Sequence, residues 1–533
     1  MWIPSDESDK LANSGILLFA ARIRRMFSIT PSALLGCKEV AIMRTHGLPI
    51  RLPLPPGPRG LPIFGNFLDV PRRAAWETYA DWARRYGDIM SVRIVGQTFV
   101  IINSVEIARE LLEQRSSVYS DRPVIPSHEL MQYDLILSNS GFGQWWKSCR
   151  RIIDRSFRQR TAITYRSIQT RKSEQFLRKL AHKPNDVVNH ITHLSASAVM
   201  SIIYGLQIAD YNDHYVALAE DTNKRGSIAA IPGGMLINAF PILNSLPAWF
   251  PGMSFKNDVL TAIQQIQEAA NAPFDFVKYE MQKGTAEPSF VLQSLDPSAE
   301  SDNNEIDEKV IKFSALSLYL GEQRSGTVSI LSTFFMVLVL YPSVQERAQA
   351  EVDAIVGRKR LPEFDDRPHM PYIDAICREL LRWRMVTPMA VPHATTEDDT
   401  YGGYFIPKGS QVIVNSWSIL HNPAVYPDPD VFRPERFLAP DGSVVEDPNL
   451  ISAFGFGRRI CPGRFFADAT IWKVVSAVIS TFTVKKATDT DGNEVPVKVE
   501  FTDDRLLCHP LPFQCSISPR DKQAEALIAQ IEP

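Results

Sequence analysis

The stretch that decides the fold lies near the C-terminus and reads Phe454-Gly455-Phe456-Gly457-Arg458-Arg459-Ile460-Cys461-Pro462-Gly463. Its one cysteine stands in a glycine-rich loop, and the apolar run Phe465-Phe466-Ala467 that follows predicts a helix. Pro462 suits the first position of such a helix. The free N–H groups at a helix N-terminus favour negative charge on Cys461 and lower the pKa of its thiol. Together with small residues at Gly455, Gly457 and Gly463, this indicates a thiolate in a loop that a large flat ligand can approach closely.

The loop resembles the haem-binding signature of the cytochromes P450: Phe, two residues, Gly, one residue, Arg, one residue, Cys, one residue, Gly. Every position is matched, by Phe454, Gly457, Arg459, Cys461 and Gly463. The resemblance implies haem b as cofactor, Cys461 as axial ligand of its iron, and Arg459 paired with a haem propionate. An axial thiolate pushes electron density onto the iron and favours O–O cleavage. The bland alternative is a buried free cysteine in a turn, which is common in proteins.

Composition narrows the protein class. The chain has 533 residues, 45% hydrophobic and 22% charged, which are globular values. A net charge of −3 gives no reason to expect nucleic acid as a partner. The six cysteines are scattered without a CxxC pair, so they indicate a reducing compartment rather than a disulfide framework. The resemblance implies one catalytic domain over residues 53–533, with the mostly α P450 fold, small β-sheets and one buried haem pocket.

Residues 1–52 read as a leader whose relation to a membrane is ambiguous. The apolar run at 16–21 is interrupted by three arginines and is too short to span a bilayer. Residues 14–29 instead predict a short basic amphipathic helix that lies on a membrane surface. A mitochondrial presequence, disfavoured by early acidic residues, and a mispredicted start without the true anchor are the alternatives. The resemblance implies the cytoplasmic face of the endoplasmic reticulum membrane, with the proline-rich segment 55–66 orienting the domain.

A Glu-x-x-Arg pair, Glu379 and Arg382, lies in a segment with helical periodicity, so the two charges share a helix face. Alone the pattern is weak, since exposed helices often carry it. The later segment Pro434-Glu435-Arg436-Phe437 strengthens it. The resemblance implies that Glu379, Arg382 and Arg436 form a buried structural network behind the haem.

Three further side chains are candidates for contact with the haem propionates. Trp146 and Arg150 are four residues apart and share a helix face; an exposed basic helix is the alternative reading. His393 closes the stretch Thr387–His393, which the resemblance places along the haem edge. Met389 and Val391 in the same stretch are candidate substrate contacts.

The apolar run after Lys312 predicts the central helix over the distal face of the haem. It approaches membrane-span length, but nearby charges and a following proline favour a buried helix. In the family this helix carries an acid–alcohol pair that delivers protons during dioxygen activation. Aligned on Thr327, this chain has Ser325 in place of the acid and Gly326 in place of the alcohol, with Glu322 further upstream.

This departure leaves three accounts open. Glu322, Ser325 and Thr327, with water in the space left by Gly326 or a substrate hydroxyl, could relay protons instead. The enzyme could run chemistry that needs no relay, such as rearrangement, dehydration or peroxide-driven oxidation. Finally, the protein could bind haem without turnover and act as a scaffold. We favour the first account, and expect a buried Glu322 without a charged partner to be protonated.

The resemblance extends to fungal P450s of secondary metabolism, notably over residues 310–357 and 398–468. It implies a monooxygenase that hydroxylates a small apolar metabolite, such as a terpenoid or polyketide. Dioxygen and NADPH–cytochrome P450 reductase are the implied co-substrate and electron source. The pocket walls are expected from the loop 124–137, with His128, Met131 and Tyr133, and from the turn Leu506-Leu507-Cys508-His509. Loop packing is the alternative reading of these residues.

Overall fold

The fold is taken from a computed structural model that describes residues 52–71, 73–210, 212–230, 236–239, 241–246, 255–296, 307–323, 326–502 and 507–531. The amphipathic helix expected at residues 14–29 therefore lies outside the described residues, as do Ser325 and Leu506.

Helices dominate the described chain, as the sequence predicts. The α-helices are α1 Ala75–Tyr86, α2 Val105–Arg109, α3 Ser116–Tyr119, α4 Pro126–Leu130, α5 Gln144–Phe157, α6 Gln159–Ala162, α7 Arg166–His182, α8 Val187–Tyr204, α9 His214–Ala230, α10 Leu236–Ala239, α11 Phe255–Lys283, α12 Phe290–Leu295, α13 Glu308–Gln323, α14 Gly326–Leu340, α15 Pro342–Ile355, α16 Pro371–Trp383, α17 Ser416–Leu420, α18 Arg464–Thr481 and α19 Lys522–Ala529. A π-helical turn, Glu110–Gln114, continues α2, and short 3-10 turns include Tyr133–Leu135, Pro434–Phe437 and Gly457–Arg459.

The β-structure is small and peripheral. One four-stranded sheet has the order β1-β2-β6-β3, formed by Ile89–Ile94, Gln97–Ile102, Gln411–Val414 and His393–Ala394. The strands β1 and β2 pair antiparallel, β2 and β6 parallel, and β3 and β6 antiparallel. Two hairpin-like pairs complete the β-structure: β4 Asp399–Tyr401 with β5 Tyr404–Ile406, and β7 Phe482–Lys486 with β8 Cys515–Pro519.

The apolar segment that could have been read as a membrane span is instead the core of the fold. Glu308–Leu340 is the one stretch of the described chain long and apolar enough to cross a membrane, and most of it is buried inside the protein. In α14, every residue from Thr327 to Val339 is buried. Because a core helix contacts neighbouring elements on all sides, it lacks the polar, solvent-facing side of an amphipathic helix. The expectation of a buried helix is therefore met.

The Cys461 loop is anchored between α18 and the rest of the core. Helix α18 is buried at every position from Thr470 to Thr481, and α14 packs against it. The helix begins at Arg464 with Gly463 as its N-cap residue, so Pro462 precedes the helix instead of occupying its first position. Gly457 adopts φ 56°, and a Cβ there would lie 2.0 Å from the Leu112 carbonyl oxygen. Only glycine therefore lets the loop approach the π-helical turn this closely.

The structure brings Glu379, Arg382 and Arg436 together beneath this core. Both Glu379 and Arg382 are fully buried, and two N–H groups of Arg382 donate to the two carboxylate oxygens of Glu379 at 2.6 and 2.8 Å. Arg436 Nε donates to Glu379 Oε1 at 3.1 Å. Remaining Arg382 donors bond the carbonyls of Leu420 and Pro429. The network thus ties α16 to the Pro434–Phe437 turn and the segments around it.

Replacing Glu379 by Gln should lower the free energy of unfolding by about 3–5 kcal/mol, because it leaves Arg382 charged and buried without its partner. Chemical denaturation of the haem-loaded protein measures this loss. Glu446→Gln is the matched control: Glu446 also bonds an arginine, Arg378, but its side chain is 85% exposed. We expect that control to cost at most about 1 kcal/mol. Equal losses in the two variants would contradict a stabilising role for the buried network.

Candidate functional site

Cys461 is held by its own loop and by the start of α18. Its N–H donates to the Phe454 carbonyl at 2.8 Å, and Arg464 Nη1 donates to the Cys461 carbonyl at 3.0 Å. Burial raises the pKa of the Cys461 thiol, while a hydrogen bond from the Gly463 N–H and the charges of Arg150 and Arg464 lower it. The sequence predicted that the helix N-terminus lowers the pKa of this thiol. That prediction is wrong for the net shift, because the cost of desolvating the thiolate outweighs the stabilising effect of the helix N-terminus. A bound metal cation reverses that balance, since a coordinating thiol is deprotonated.

Two buried arginines line the side of the site next to this loop. Arg459 donates to the carbonyls of Ser120 at 2.8 Å, Leu137 at 3.2 Å and Ser140 at 2.8 Å, and its guanidinium lies 4.6 Å from the centre of the Trp146 ring. Burial lowers the pKa of Arg459 to about 10.

Arg122, which the sequence did not single out, is the second buried cation. It donates to the carbonyls of Ser138 at 2.8 Å, Val391 at 2.8 Å and Pro392 at 2.7 Å. Burial lowers its pKa well below the usual value. A lone arginine in the loop Asp121-Arg122-Pro123 carries no periodicity or motif, so only the fold shows its position.

His393 completes this cationic wall from strand β3. Its Nδ1 lies 2.7 Å from the Tyr119 carbonyl, and burial together with the charge of Arg122 lowers the pKa of His393 well below the usual value. The imidazole is therefore neutral near pH 7. Sequence reasoning placed His393 at this edge, and the structure brings it together with Arg459 and Trp146.

This wall has the chemistry that haem propionates require. Within the described residues, Arg122 and Arg459 are hydrogen-bonded to carbonyls and not to carboxylates, although Asp121 nearby offsets part of their charge. The hydroxyl of Ser120, whose carbonyl Arg459 binds, is buried without a hydrogen-bond partner. Buried cations need anionic partners, and a Cβ on Gly463 would meet nothing within 4 Å. The residues present therefore fit haem b.

Arg150, the other sequence-based candidate on α5 for contact with a propionate, lies beside the cysteine loop. Its Nε donates to both carboxylate oxygens of Asp154 at 2.8 Å, and its Nη1 donates to the Ile460 carbonyl at 2.7 Å. The structure thus places it beside the residue that precedes Cys461, while Trp146 on the same helix reaches Arg459. Helix α5 consequently contacts the cysteine loop through two different side chains.

The opposite wall is formed where α13 ends and α14 begins. Thr327 Oγ1 donates to Glu322 Oε1 at 2.5 Å, and Ser195 Oγ of α8 lies 3.4 Å from the same oxygen. Burial raises the pKa of Glu322 to about 7, although both hydroxyls lower it. The charge of this carboxyl in turn raises the pKa of Cys461, so the two groups lie close enough to interact electrostatically. Gly326 has open space beside it, as expected. Ser195 was missed, because a serine on a neighbouring helix leaves no local signal.

The loop expected to cover the pocket is bonded to α9. Tyr133 Oη donates to the Thr222 carbonyl at 2.6 Å, and His128 Nε2 lies 3.1 Å from the Gly226 carbonyl. A Cβ on Gly226 would lie 2.6 Å from the Tyr133 ring, so α9 needs glycine for this approach. The packing interpretation therefore fits His128 and Tyr133 better than direct substrate contact.

Comparisons with known proteins agree with this geometry. The family model for cytochrome P450 matches residues 55–517. The chain is 39% identical to cytochrome P450 monooxygenase claR of Ampulloclitocybe clavipes, over 89% of this chain and 88% of that protein. It is 38% identical to cytochrome P450 monooxygenase 208 of Postia placenta, over 90% and 92%. It is 39% identical to cytochrome P450 monooxygenase ple1 of Rhodocybe pseudopiperita, over 89% and 91%.

Matches of this extent and identity, joined to a cysteine loop flanked by buried cations, leave one family. The chain is a member of the cytochrome P450 family, a monooxygenase with haem b as its cofactor.

Proposed function

We propose that this P450 oxidises a small apolar secondary metabolite, such as a terpenoid or polyketide, most simply by hydroxylation. The observation that carries this is the buried carboxyl of Glu322, which accepts a hydrogen bond from Thr327 and lies close enough to Cys461 for its charge to raise the pKa of that thiol. In such a reaction one oxygen atom of dioxygen enters a substrate C–H bond. The other leaves as water, with electrons from NADPH and protons from solvent. When bound, haem b supplies the redox centre for dioxygen activation.

The chain's own residues would hold the cofactor at two places. Cys461 would supply a thiolate ligand to the iron, and Arg459, Arg122, Trp146 and His393 would provide the wall for the propionates. The Phe454 carbonyl accepts a hydrogen bond from the Cys461 N–H, and the Gly463 N–H donates to the Cys461 thiol. Because these groups come from separate elements, the site is formed only in the folded protein.

Cys461→Ser should abolish the red-shifted absorption band of the reduced, carbon monoxide-treated protein, because a serine hydroxyl does not supply a thiolate ligand. The difference spectrum measures this directly. Cys515→Ser is the control, since Cys515 lies on strand β8 and is also a free cysteine. Survival of the band in Cys461→Ser would overturn the ligand assignment.

Glu322 takes the place of the missing acid–alcohol pair in this proposal. Its carboxyl gives up a proton toward the oxygen site and regains one from water, while the Thr327 hydroxyl fixes its orientation. Efficient proton transfer requires a pKa near the working pH, and the pKa of Glu322 is about 7. This contact favours the proton-relay account over chemistry without a relay. Ser325, outside the described residues, stays a candidate member of the relay.

Glu322→Gln should reduce product formed per NADPH consumed by about tenfold or more, with the difference appearing as peroxide. In the native enzyme the protonated carboxyl predominates below its pKa of about 7, so coupling should fall as pH rises through that value. In the variant, the product formed per NADPH consumed should be low and should not change with pH. Glu346→Gln, which alters an exposed side chain on α15, serves as the control. A variant with native coupling at every pH would exclude Glu322 from the relay.

The implied electron source, NADPH–cytochrome P450 reductase, requires a docking surface close to Cys461. A groove beside the cysteine loop is lined by Arg150, Arg151, Asp154, Arg155, Phe157, Arg158, Ile460, Pro462, Arg464 and Phe465. Five of these residues are arginines and one is acidic. Such a basic groove attracts an acidic protein surface and speeds its association.

Reversing the charge of this groove with Arg151→Glu and Arg158→Glu should raise the KM for reductase about tenfold at low salt while kcat changes little. Added salt should reduce the difference in KM between the variant and the native enzyme, because salt screens exposed charges. Lys498→Glu, an exposed lysine of the segment after β7, is the control. Stopped-flow reduction at several ionic strengths measures these effects. Salt-independent losses, or equal losses in the control, would contradict docking at this groove.

We also propose attachment to the cytoplasmic face of the endoplasmic reticulum membrane. An exposed apolar patch follows directly after residue 52: Leu61, Ile63, Phe64, Phe67 and Leu68 are each about half exposed or more. Large exposed apolar side chains in one patch favour contact with a lipid or protein surface. The basic amphipathic character of residues 14–29 supports the same surface.

A further inference from the structure

Ser195 makes contacts unlike those of its neighbours on α8. Ser197 donates back to the Leu194 carbonyl at 3.1 Å, and Thr192 donates to the Val188 carbonyl at 2.9 Å. Such back-bonding is the usual behaviour of hydroxyls within helices. Ser195 Oγ instead reaches across to α13, where it lies 3.3 Å from the Glu322 carbonyl oxygen and 3.4 Å from Glu322 Oε1.

Both of these acceptors belong to one residue at the end of a helix. Glu322 lies in the last turn of α13, whose carbonyl groups lack partners within the helix. The Ser195 hydroxyl therefore supplies a partner for that main-chain oxygen and contacts the carboxyl of the same residue. Since Ser195 is buried, with 1% exposure, water does not readily replace it.

The carboxyl of Glu322 also meets the first turn of the next helix. Thr327 Oγ1 of α14 donates to Oε1, and the N-terminus of a helix favours negative charge. Three helices, α8, α13 and α14, thus converge on one carboxyl. In the described part of the chain its hydrogen-bond partners are two hydroxyls, with no basic side chain among them.

We propose that Ser195 is a positioning residue for the monooxygenase reaction: it holds the Glu322 main chain and carboxyl in the orientation from which the carboxyl delivers its proton. This inference rests on the proposed role of Glu322 in proton delivery. Ser195 itself transfers no proton. Its hydroxyl fixes the orientation of the Glu322 carboxyl, which is the group that transfers the proton. In this proposal Glu322 and Ser195 together take the place of the adjacent acid–alcohol pair that this chain lacks.

Ser195→Ala tests the inference in the haem-loaded enzyme with its reductase. We expect product per NADPH to fall about threefold, the size of effect that one net hydrogen bond produces. Ser195→Thr, which keeps the hydroxyl, should recover most of the loss. Ser197→Ala is the matched control, because Ser197 is equally buried on the same helix but bonds its own helix. The carbon monoxide difference band should be unchanged in all three variants.

Infrared difference spectra recorded across pH give a readout independent of turnover. The carboxyl band of Glu322 is the one lost in Glu322→Gln. Removing the Ser195 donor, which stabilises the carboxylate, should shift the midpoint of that band to higher pH, whereas Ser197→Ala should leave it in place. The groups that face the carboxyl in this titration are the hydroxyls of Ser195 and Thr327 and, through its charge, Cys461, which is the thiolate ligand in the haem-loaded enzyme.

The outcomes separate the two proposals. If Glu322→Gln is uncoupled while Ser195→Ala matches the native enzyme in coupling and in the band, the positioning role is overturned and the Glu322 role stands. If Glu322→Gln is fully coupled, the relay and the positioning role both fall. Equal losses in Ser195→Ala and Ser197→Ala would show that general packing of α8, and not the Glu322 contact, is responsible.

Discussion

The buried guanidinium of Arg459 is the interaction on which the rest of the site depends. It belongs to the cysteine loop, stacks on Trp146 of α5, and donates to the carbonyls of Ser120, Leu137 and Ser140. Those carbonyls flank the two ends of the loop that packs on α9. One side chain thus links the thiolate loop, a core helix and the covering loop. Its burial is costly unless the charge finds partners, which explains why so many main-chain oxygens converge on it.

The remaining architecture keeps these elements at fixed distances from one another. The Glu379–Arg382–Arg436 network ties α16 to the Pro434–Phe437 turn. Gly457 lets the cysteine loop approach the π-helical turn. Helices α13 and α14 form the wall opposite Cys461, and α18 carries the loop's C-terminal end. The buried ion network lies in the core, whereas the departure from the family pattern lies where α13 ends and α14 begins.

Sequence reasoning identified the family, the mostly α fold and the buried helix, because each of these has a local signature. The cysteine loop is contiguous, and a long apolar run bounded by charges indicates a core helix. The departure of the distal helix from the family pattern was also visible in the sequence. What local patterns do not encode is which distant residues meet. Arg122 and Ser195 belong to separate elements, and the partner of Arg150 proved to be Asp154 and the Ile460 carbonyl. The thiol pKa was misjudged for the same reason, since burial depends on the whole fold.

The cationic wall has a consequence for the life of the protein in the cell. Two buried arginines whose hydrogen-bond partners are carbonyls carry positive charge that haem propionates would neutralise, so that binding of the cofactor would stabilise the folded state by mass action. Newly made chains that do not acquire haem spend more time partly open, where proteases and chaperones act on them. The steady-state amount of this enzyme is therefore tied to the haem supply of the cell as well as to the rate of its synthesis.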